Sequence, residues 1–259
     1  MAAFEHSTPA LYDRYMGPLL FEPWAQLTAE RAALLNPGRV LETAAGTGIV
    51  TRALGRVAPH AEIVATDLNP AVLAFAEQSD WPEQVRFQVA DAQDLPFPDD
   101  DFDLIVCQFG VMFMPDKVRA NQEARRVLKA TGRYLIVTFA SLELNPVPEA
   151  AGRAVDALFP DDPLRYMERG PFSYVDPAHI ERDLRAARFT EIQLERMTLS
   201  SRVIATEAAQ GLVLGSPLRA EIEQRDPGAL ERALEAVTRA LQPWDGDDAP
   251  MTAHIVTAS

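Results

Sequence analysis

Four short stretches of this 259-residue chain carry residue types suited to holding a nucleoside-like ligand, and they occur in a fixed order. The first is Glu42-Thr43-Ala44-Ala45-Gly46-Thr47-Gly48. Gly46 and Gly48 let the backbone turn tightly and approach a ligand, and a helix that follows would present unpaired N–H groups. The second is Asp67, 25 residues after Glu42, whose carboxylate can accept hydrogen bonds from two ribose hydroxyls. The third is Asp91-Ala92, where a carboxylate can receive the exocyclic amine of adenine. The fourth is Gln108-Phe109, facing the place where the reacting end of such a ligand would lie. Each has a plainer alternative. The glycine turn could be a strand-to-helix corner, Asp67 with Asn69-Pro70 a helix entrance, and Asp91 part of a solvated turn. Their joint order and spacing argue against coincidence.

The elements that must position these residues follow an alternating rhythm. Arg39 to Glu42, Glu62 to Thr66, Val85 to Val89, Phe102 to Gln108 and Tyr134 to Phe139 read as strands. Between them, Ile49 to Val57, Pro70 to Gln78 and Asp116 to Lys129 read as helices, with Asn69 as an N-cap and Pro70 at the first helical position. Strand and helix in alternation imply parallel pairing with right-handed crossovers. The near-continuous apolar strands suit a sheet covered on both faces. All four candidate stretches then fall at carboxyl ends of strands, where open α/β sheets bind ligands. After Phe139 the rhythm breaks. Ser141 to Val175 is rich in proline, Pro177 to Ala187 resumes as a helix, and Glu191 to Met197 alternates as a strand. Ser200 to Ala249 reads as mostly helical, and Met251 to Ala258 as a last strand.

Composition narrows the function. The formal charge is 24 − 38 = −14 with no Lys/Arg block, which argues against a polyanionic substrate such as nucleic acid. The single cysteine, Cys107, excludes an intrachain disulfide and a Cys-rich metal site, and its apolar neighbours predict a buried thiol. No metal site is expected. No basic flank and apolar stretch open the chain, and no run is long enough to span a bilayer, so the sequence predicts a cytoplasmic protein without membrane insertion.

Val40 to Gly48 resembles the glycine-rich first motif of class I (Rossmann-like) S-adenosylmethionine-dependent methyltransferases, with Ala44 where that motif usually has its first glycine. Asp67 matches the family's ribose-binding acidic residue. Asp91-Ala92-Gln93-Asp94-Leu95-Pro96-Phe97 resembles the adenine-side motif of the ubiquinone/menaquinone-biosynthesis-like small-molecule subgroup. Phe102 to Val106 is similar to its fourth strand, and Gly132 to Leu135 to the turn into its fifth. The resemblance covers roughly residues 38 to 140, with a looser fit beyond. It implies an α/β fold with a doubly wound, mostly parallel seven-stranded sheet and an antiparallel last strand. A single domain would have its core at about 38–140, 177–199 and 250–259, an N-terminal cover over 1–35, and a helical cap from insertions 141–176 and 200–249. It also implies S-adenosylmethionine as cofactor. Ala45, Gly46 and Thr47, in the turn closed by Gly48, would contact its methionine part, with Glu42 orienting the loop and the amino group. Asp67 would hold the ribose, Leu68 would pack on adenine, Asp91 and Ala92 would bind its edge, and Gln108 would sit near the amino-acid end. Phe109, Met112 and Phe113 follow strand four, where the small-molecule acceptor is expected, although core packing explains them nearly as well.

A sulfonium methyl is already activated, so its transfer asks mainly for positioning and exclusion of water, with aromatic faces adding cation–π attraction. Tyr12, Tyr15, Phe21 and Trp24 lie in a segment of the kind that folds over the cofactor in this family, or in a plain packing helix. No catalytic residue stands out. His60 reads as solvated, His254 sits in the last strand, His179 in a helix, and only His6 lies where it could deprotonate an acceptor hydroxyl. An amine, or a phenol of low pKa, needs no base. Two rival readings stand beside this one. A nicotinamide-dependent oxidoreductase would use Gly46-x-Gly48-x-x-Thr51, but Thr51 replaces its last glycine and no hydride-transfer group appears. A non-catalytic S-adenosylmethionine-binding protein would keep the fold without the reaction.

Overall fold

The computed structural model describes residues 9–259, which form two compact units. The larger comprises Trp24–Ala140, Tyr174–Met197 and Ala253–Ser259; the other takes the described residues up to Pro23, Ser141–Ser173 and Thr198–Thr252. The strands are β1 (Arg39–Thr43), β2 (Glu62–Asp67), β3 (Val85–Val89), β4 (Phe102–Gln108), β5 (Leu128–Phe139), β6 (Ile192–Arg202) and β7 (Asp248–Ala258). The helices are α1 (Glu22–Leu34), α2 (Ile49–Val57), α3 (Pro70–Ala76), α4 (Lys117–Val127), α5 (Pro146–Asp156), α6 (Pro177–Ala186), α7 (Ala205–Leu214), α8 (Leu218–Arg225) and α9 (Ala229–Leu241).

One sheet, in the order β3-β2-β1-β4-β5-β7-β6, organises the larger unit. The pairs β1–β2, β1–β4, β2–β3 and β4–β5 are parallel, and β7 is antiparallel to β5. This is the Rossmann-like sheet that the resemblance implies. Its central strands are apolar through their middles, where both faces are covered. Val40, Leu41 and Leu104 to Cys107 are fully buried. The edge strand β3 leaves Val89 half exposed. Helix starts obey local chemistry. Asn69 Oδ1 accepts from the Ala71 N–H at 3.0 Å, and Asp116 Oδ1 from the Arg119 N–H at 2.9 Å.

Several boundaries differ from the sequence reading. The helix expected to run to Lys129 stops at Val127, and β5 begins at once at Leu128 rather than at Tyr134. Leu128 pairs with Phe102, and a register shift before Leu104 absorbs the early start, so Gly132 lies inside an irregular strand rather than in the turn leading into it. α3 ends at Ala76, two residues early, and β6 and β7 are longer than expected.

In the second unit, α5, α7 and α9 pack together, and the π-helical stretch Tyr12–Phe21 lies on α7. Gly211 permits that approach, since a Cβ there would come within 2.9 Å of Met16 and 3.0 Å of Tyr15. The buried Asn145 amide ties the first insertion to β7. Its Nδ2 donates to the Thr252 carbonyl at 3.1 Å, and its Oδ1 accepts from the Thr252 N–H at 2.9 Å. Among the described residues no helix is long and apolar enough to cross a membrane, and no cluster of potential metal ligands occurs.

Candidate functional site

The chain leaves β1 toward β2 and β3 on one side and continues through β4 and β5 on the other, so strand order reverses between β1 and β4. In open α/β sheets such a reversal marks a crevice at the carboxyl edge of the strands, where ligands bind. Around it stand the residues that the sequence singles out.

The turn after β1 is built for close approach. Gly46 and Gly48 have φ of +58° and +82°, a left-handed region that disfavours side chains. A Cβ at Gly46 would meet nothing within 4 Å, whereas one at Gly48 would strike Trp81 at 2.9 Å. Ala44 adopts φ +56° although it is not glycine. Asp67 ends β2 and joins the turn directly: its Oδ2 accepts from the Gly46 N–H at 2.9 Å and its Oδ1 from the Asn69 N–H at 2.9 Å. The Ala45 N–H donates to the Thr66 carbonyl at 2.9 Å. Glu42 is buried on the same side, and Thr51 Oγ1 donates to its Oε2 at 2.6 Å. Burial raises the Glu42 carboxyl to about 8, with the Thr51 hydrogen bond opposing and the neighbouring Asp67 charge adding to the rise. Burial likewise raises Asp67 above its ordinary range, against the pull of the Asn69, Gly46 and Leu68 N–H groups. Two carboxyl groups held this way offer hydrogen-bonding partners for hydroxyl and amine groups of a ligand.

β3 delivers the next group. The Ala90 N–H donates to the Asp67 carbonyl at 3.1 Å, which sets Asp91 beside the end of β2. Asp91 Oδ1 accepts from the Gln93 N–H at 2.8 Å and from Gln93 Nε2 at 3.1 Å. Ala92 is partly exposed beside it, and Leu68 is 45% exposed after Asp67.

Gln108 ends β4 on the face that carries Glu42, since Glu42 pairs with Val106 two residues earlier. Its Oε1 accepts from Thr28 Oγ1 on α1 at 2.8 Å. Phe109 follows at φ +52°, and its ring stacks on Phe139 at 4.2 Å and meets Trp24 edge-on at 6.1 Å. Met112 is buried, whereas Phe113 is 45% exposed. Of the three acceptor candidates, only Phe113 presents a large accessible face.

Thr28, Thr51 and Gln93 are partners that the sequence reading did not assign. Thr51 has a legible signal, because it lies in the first turn of α2 and faces back to the strand end. Thr28 is 80 residues from Gln108 and has none. Among the histidines, His6 lies outside the described residues. His60 is exposed, and His179 lies 3.3 Å from Asp183 on α6. His254 is buried with Nε2 3.1 Å from the Val175 carbonyl, and burial lowers its pKa. Cys107 is buried, with its thiol pushed up to about 11 by burial. Tyr12 stacks on Phe21 at 5.1 Å within the second unit.

A family profile described as a methyltransferase domain matches residues 41–136. The ubiquinone/menaquinone biosynthesis C-methyltransferase UbiE of Stutzerimonas stutzeri is 30% identical over 214 residues, covering 74% of this chain and 82% of that protein. The demethylmenaquinone methyltransferase of Thermotoga maritima is 42% identical over 123 residues, 48% of this chain and 51% of that one. This chain belongs to the class I S-adenosylmethionine-dependent methyltransferases of the ubiquinone/menaquinone type. The phosphoethanolamine N-methyltransferase 2 of Haemonchus contortus, solved with phosphomonomethylethanolamine and S-adenosylhomocysteine, shares the fold with a TM-score of 0.61 at 17% identity, covering 97% of this chain and 57% of that chain. The methyltransferase therefore uses S-adenosylmethionine to methylate a small molecule, and both rival readings give way to that membership. The crevice suits the cofactor on its own terms. Beside the open side of Gly46, the buried Thr47 Oγ1 has no hydrogen-bond partner among the described residues.

Proposed function

We propose that the β1–β3 edge holds S-adenosylmethionine through its own preset hydrogen bonds and that the β4 edge receives a small, partly apolar acceptor. In this reading Thr47 and the turn Ala45–Gly48 take the methionine end, with Glu42 facing its amino group and Gln108 nearby. Asp67 takes the ribose hydroxyls, Leu68 the adenine face, and Asp91 with Ala92 the adenine edge. Phe109 and Met112 shape the wall behind Phe113. The observation that carries the proposal is the Asp67 carboxylate, already fixed by the Gly46 and Asn69 N–H groups at the strand reversal. When bound, the cofactor supplies an activated sulfonium methyl. The protein then needs to hold, orient and keep dry.

Acceptor choice falls, on this reading, to the Phe109–Phe113 segment after β4. The acidic chain, at −14, fits a small-molecule acceptor better than nucleic acid and suits a cytoplasmic enzyme. The relatives are named for C-methylation in ubiquinone and menaquinone biosynthesis, so quinol-type aromatic rings belong first in an acceptor screen that reads S-adenosylhomocysteine release. Calorimetry should give micromolar binding of S-adenosylmethionine and S-adenosylhomocysteine and none of NAD(H) or NADP(H). Nicotinamide binding without S-adenosylmethionine binding would sink the proposal.

A further inference from the structure

We propose that Gln93 is a positioning residue that locks the acceptor segment to the adenine end of the cofactor site. The proposal rests on the assignment of Asp91 to the nucleoside made above. One side chain faces two ways. Gln93 Nε2 and the Gln93 main-chain N–H donate to Asp91 Oδ1 at 3.1 and 2.8 Å, while Gln93 Oε1 accepts from the Asp116 N–H at 2.9 Å. The Gln93 carbonyl accepts from Arg119 Nε at 3.0 Å. Asp116 is the N-cap of α4 and ends the connection from β4 that carries Met112 and Phe113. A primary amide is suited to this place because it offers a donor and an acceptor without charge. Glutamate keeps the acceptor but sets a like charge against Asp91; methionine removes both functions.

The other end of the same connection is fixed to the opposite end of the cofactor site. A Cβ at Gly110 would collide with the Ala44 methyl, so the backbones leaving β4 and β1 interlock there. Lys117 Nζ closes the segment from within by donating to the Met114 carbonyl at 3.0 Å. Phe113 is thus carried on a short connection whose two ends register on the methionine turn and on the adenine carboxylate. The side-chain amide of Gln93 is the link by which occupancy of the nucleoside site reaches the Asp116 end of that connection.

Titration with S-adenosylhomocysteine, followed through backbone amide resonances, tests the link. In the wild type both the Gly46 and the Asp116 amides should move. In Gln93→Met the Gly46 amide should still respond, while the Asp116 response falls at least about threefold and binding weakens several-fold, as for loss of one hydrogen bond to a carboxylate. Gln93→Glu should restore the ligand-free Asp116 resonance toward its wild-type position and still bind weakly, because the introduced carboxylate would repel Asp91. An unchanged Asp116 response in Gln93→Met, with Gly46 responding, would overturn the link alone. Failure of the wild type to bind, or binding that leaves Gly46 unmoved, would overturn the site assignment and the link with it.

Discussion

The carboxyl ends of β1–β3 and of β4 border one crevice but are made of opposite materials. On the first side, carboxylates do the holding and are themselves held. Asp67 is fixed by two backbone N–H groups, Asp91 by Gln93 and Glu42 by Thr51. On the second side, from Gln108 to Phe113, aromatic packing surrounds a residue in an uncommon conformation, with Phe109 at φ +52° between Phe139 and Trp24. A cofactor of constant structure can be met by preset polar groups, each of which would be costly if left unpaired. An acceptor of apolar character is better met by shape, because apolar walls ask for no buried charge to be paired.

The comparison can be broken most strongly at Glu42. Its folded pKa, near 8, lies above the ordinary carboxyl value of 4.5. The contribution of the protonated form is therefore complete below about pH 4.5 and is lost as pH rises through 8. Ligand-free wild type should lose on the order of 3 kcal/mol between pH 5 and 8 relative to Glu42→Gln, measured by urea unfolding at both pH values. Parallel pH dependence in the two proteins would show that Glu42 is not the buried acid of the first side.

Asp67→Ala comes next. It should weaken S-adenosylhomocysteine binding by roughly 1.5–3 kcal/mol, the worth of hydrogen bonds to a charged group. The variant should also unfold more easily, because the Gly46 and Asn69 N–H groups lose their acceptor. Normal affinity by calorimetry would reduce Asp67 to a helix-entry residue.

The seam between the two sides can be measured with a double-mutant cycle. Gly110→Ala should destabilise by about 1–3 kcal/mol through overpacking against Ala44, and Ala44→Gly should recover part of that loss in the double variant. Strict additivity would mean that the seam is not a contact. The smallest effect on binding is expected at Phe113. Phe113→Ala should leave S-adenosylhomocysteine affinity within about threefold and lower turnover with any acceptor found by screening. Lost affinity in a folded variant would place the acceptor on the wrong side of β4.

Most of the first side is readable in the sequence because its signals are local. Glycine spacing, an acidic residue closing an apolar run and an Asn-Pro helix entrance are each set by a few neighbouring residues. The residues that steady the site are harder to see. Thr28 meets Gln108 through tertiary packing, and Gln93 meets Asp116 across the whole of β4. The start of β5 is hidden for a related reason. Leu128-Lys129 continue the helical pattern of α4, but Phe102 captures Leu128 as a strand partner, so pairing overrides local propensity. Phe109 reads equally well as pocket or core, and its ring packs between Phe139 and Trp24.

The strand order carries a consequence for synthesis. β7, the last of the seven strands in sequence, is an interior strand seated between β5 and β6. While the chain is emerging, β5 therefore presents a long edge of unpaired backbone groups, the kind of surface that invites pairing with another chain. The nascent protein must hold that gap open until β7 itself has been made. Its yield in a cell should accordingly depend on chaperone capacity more than the stability of the finished fold would suggest.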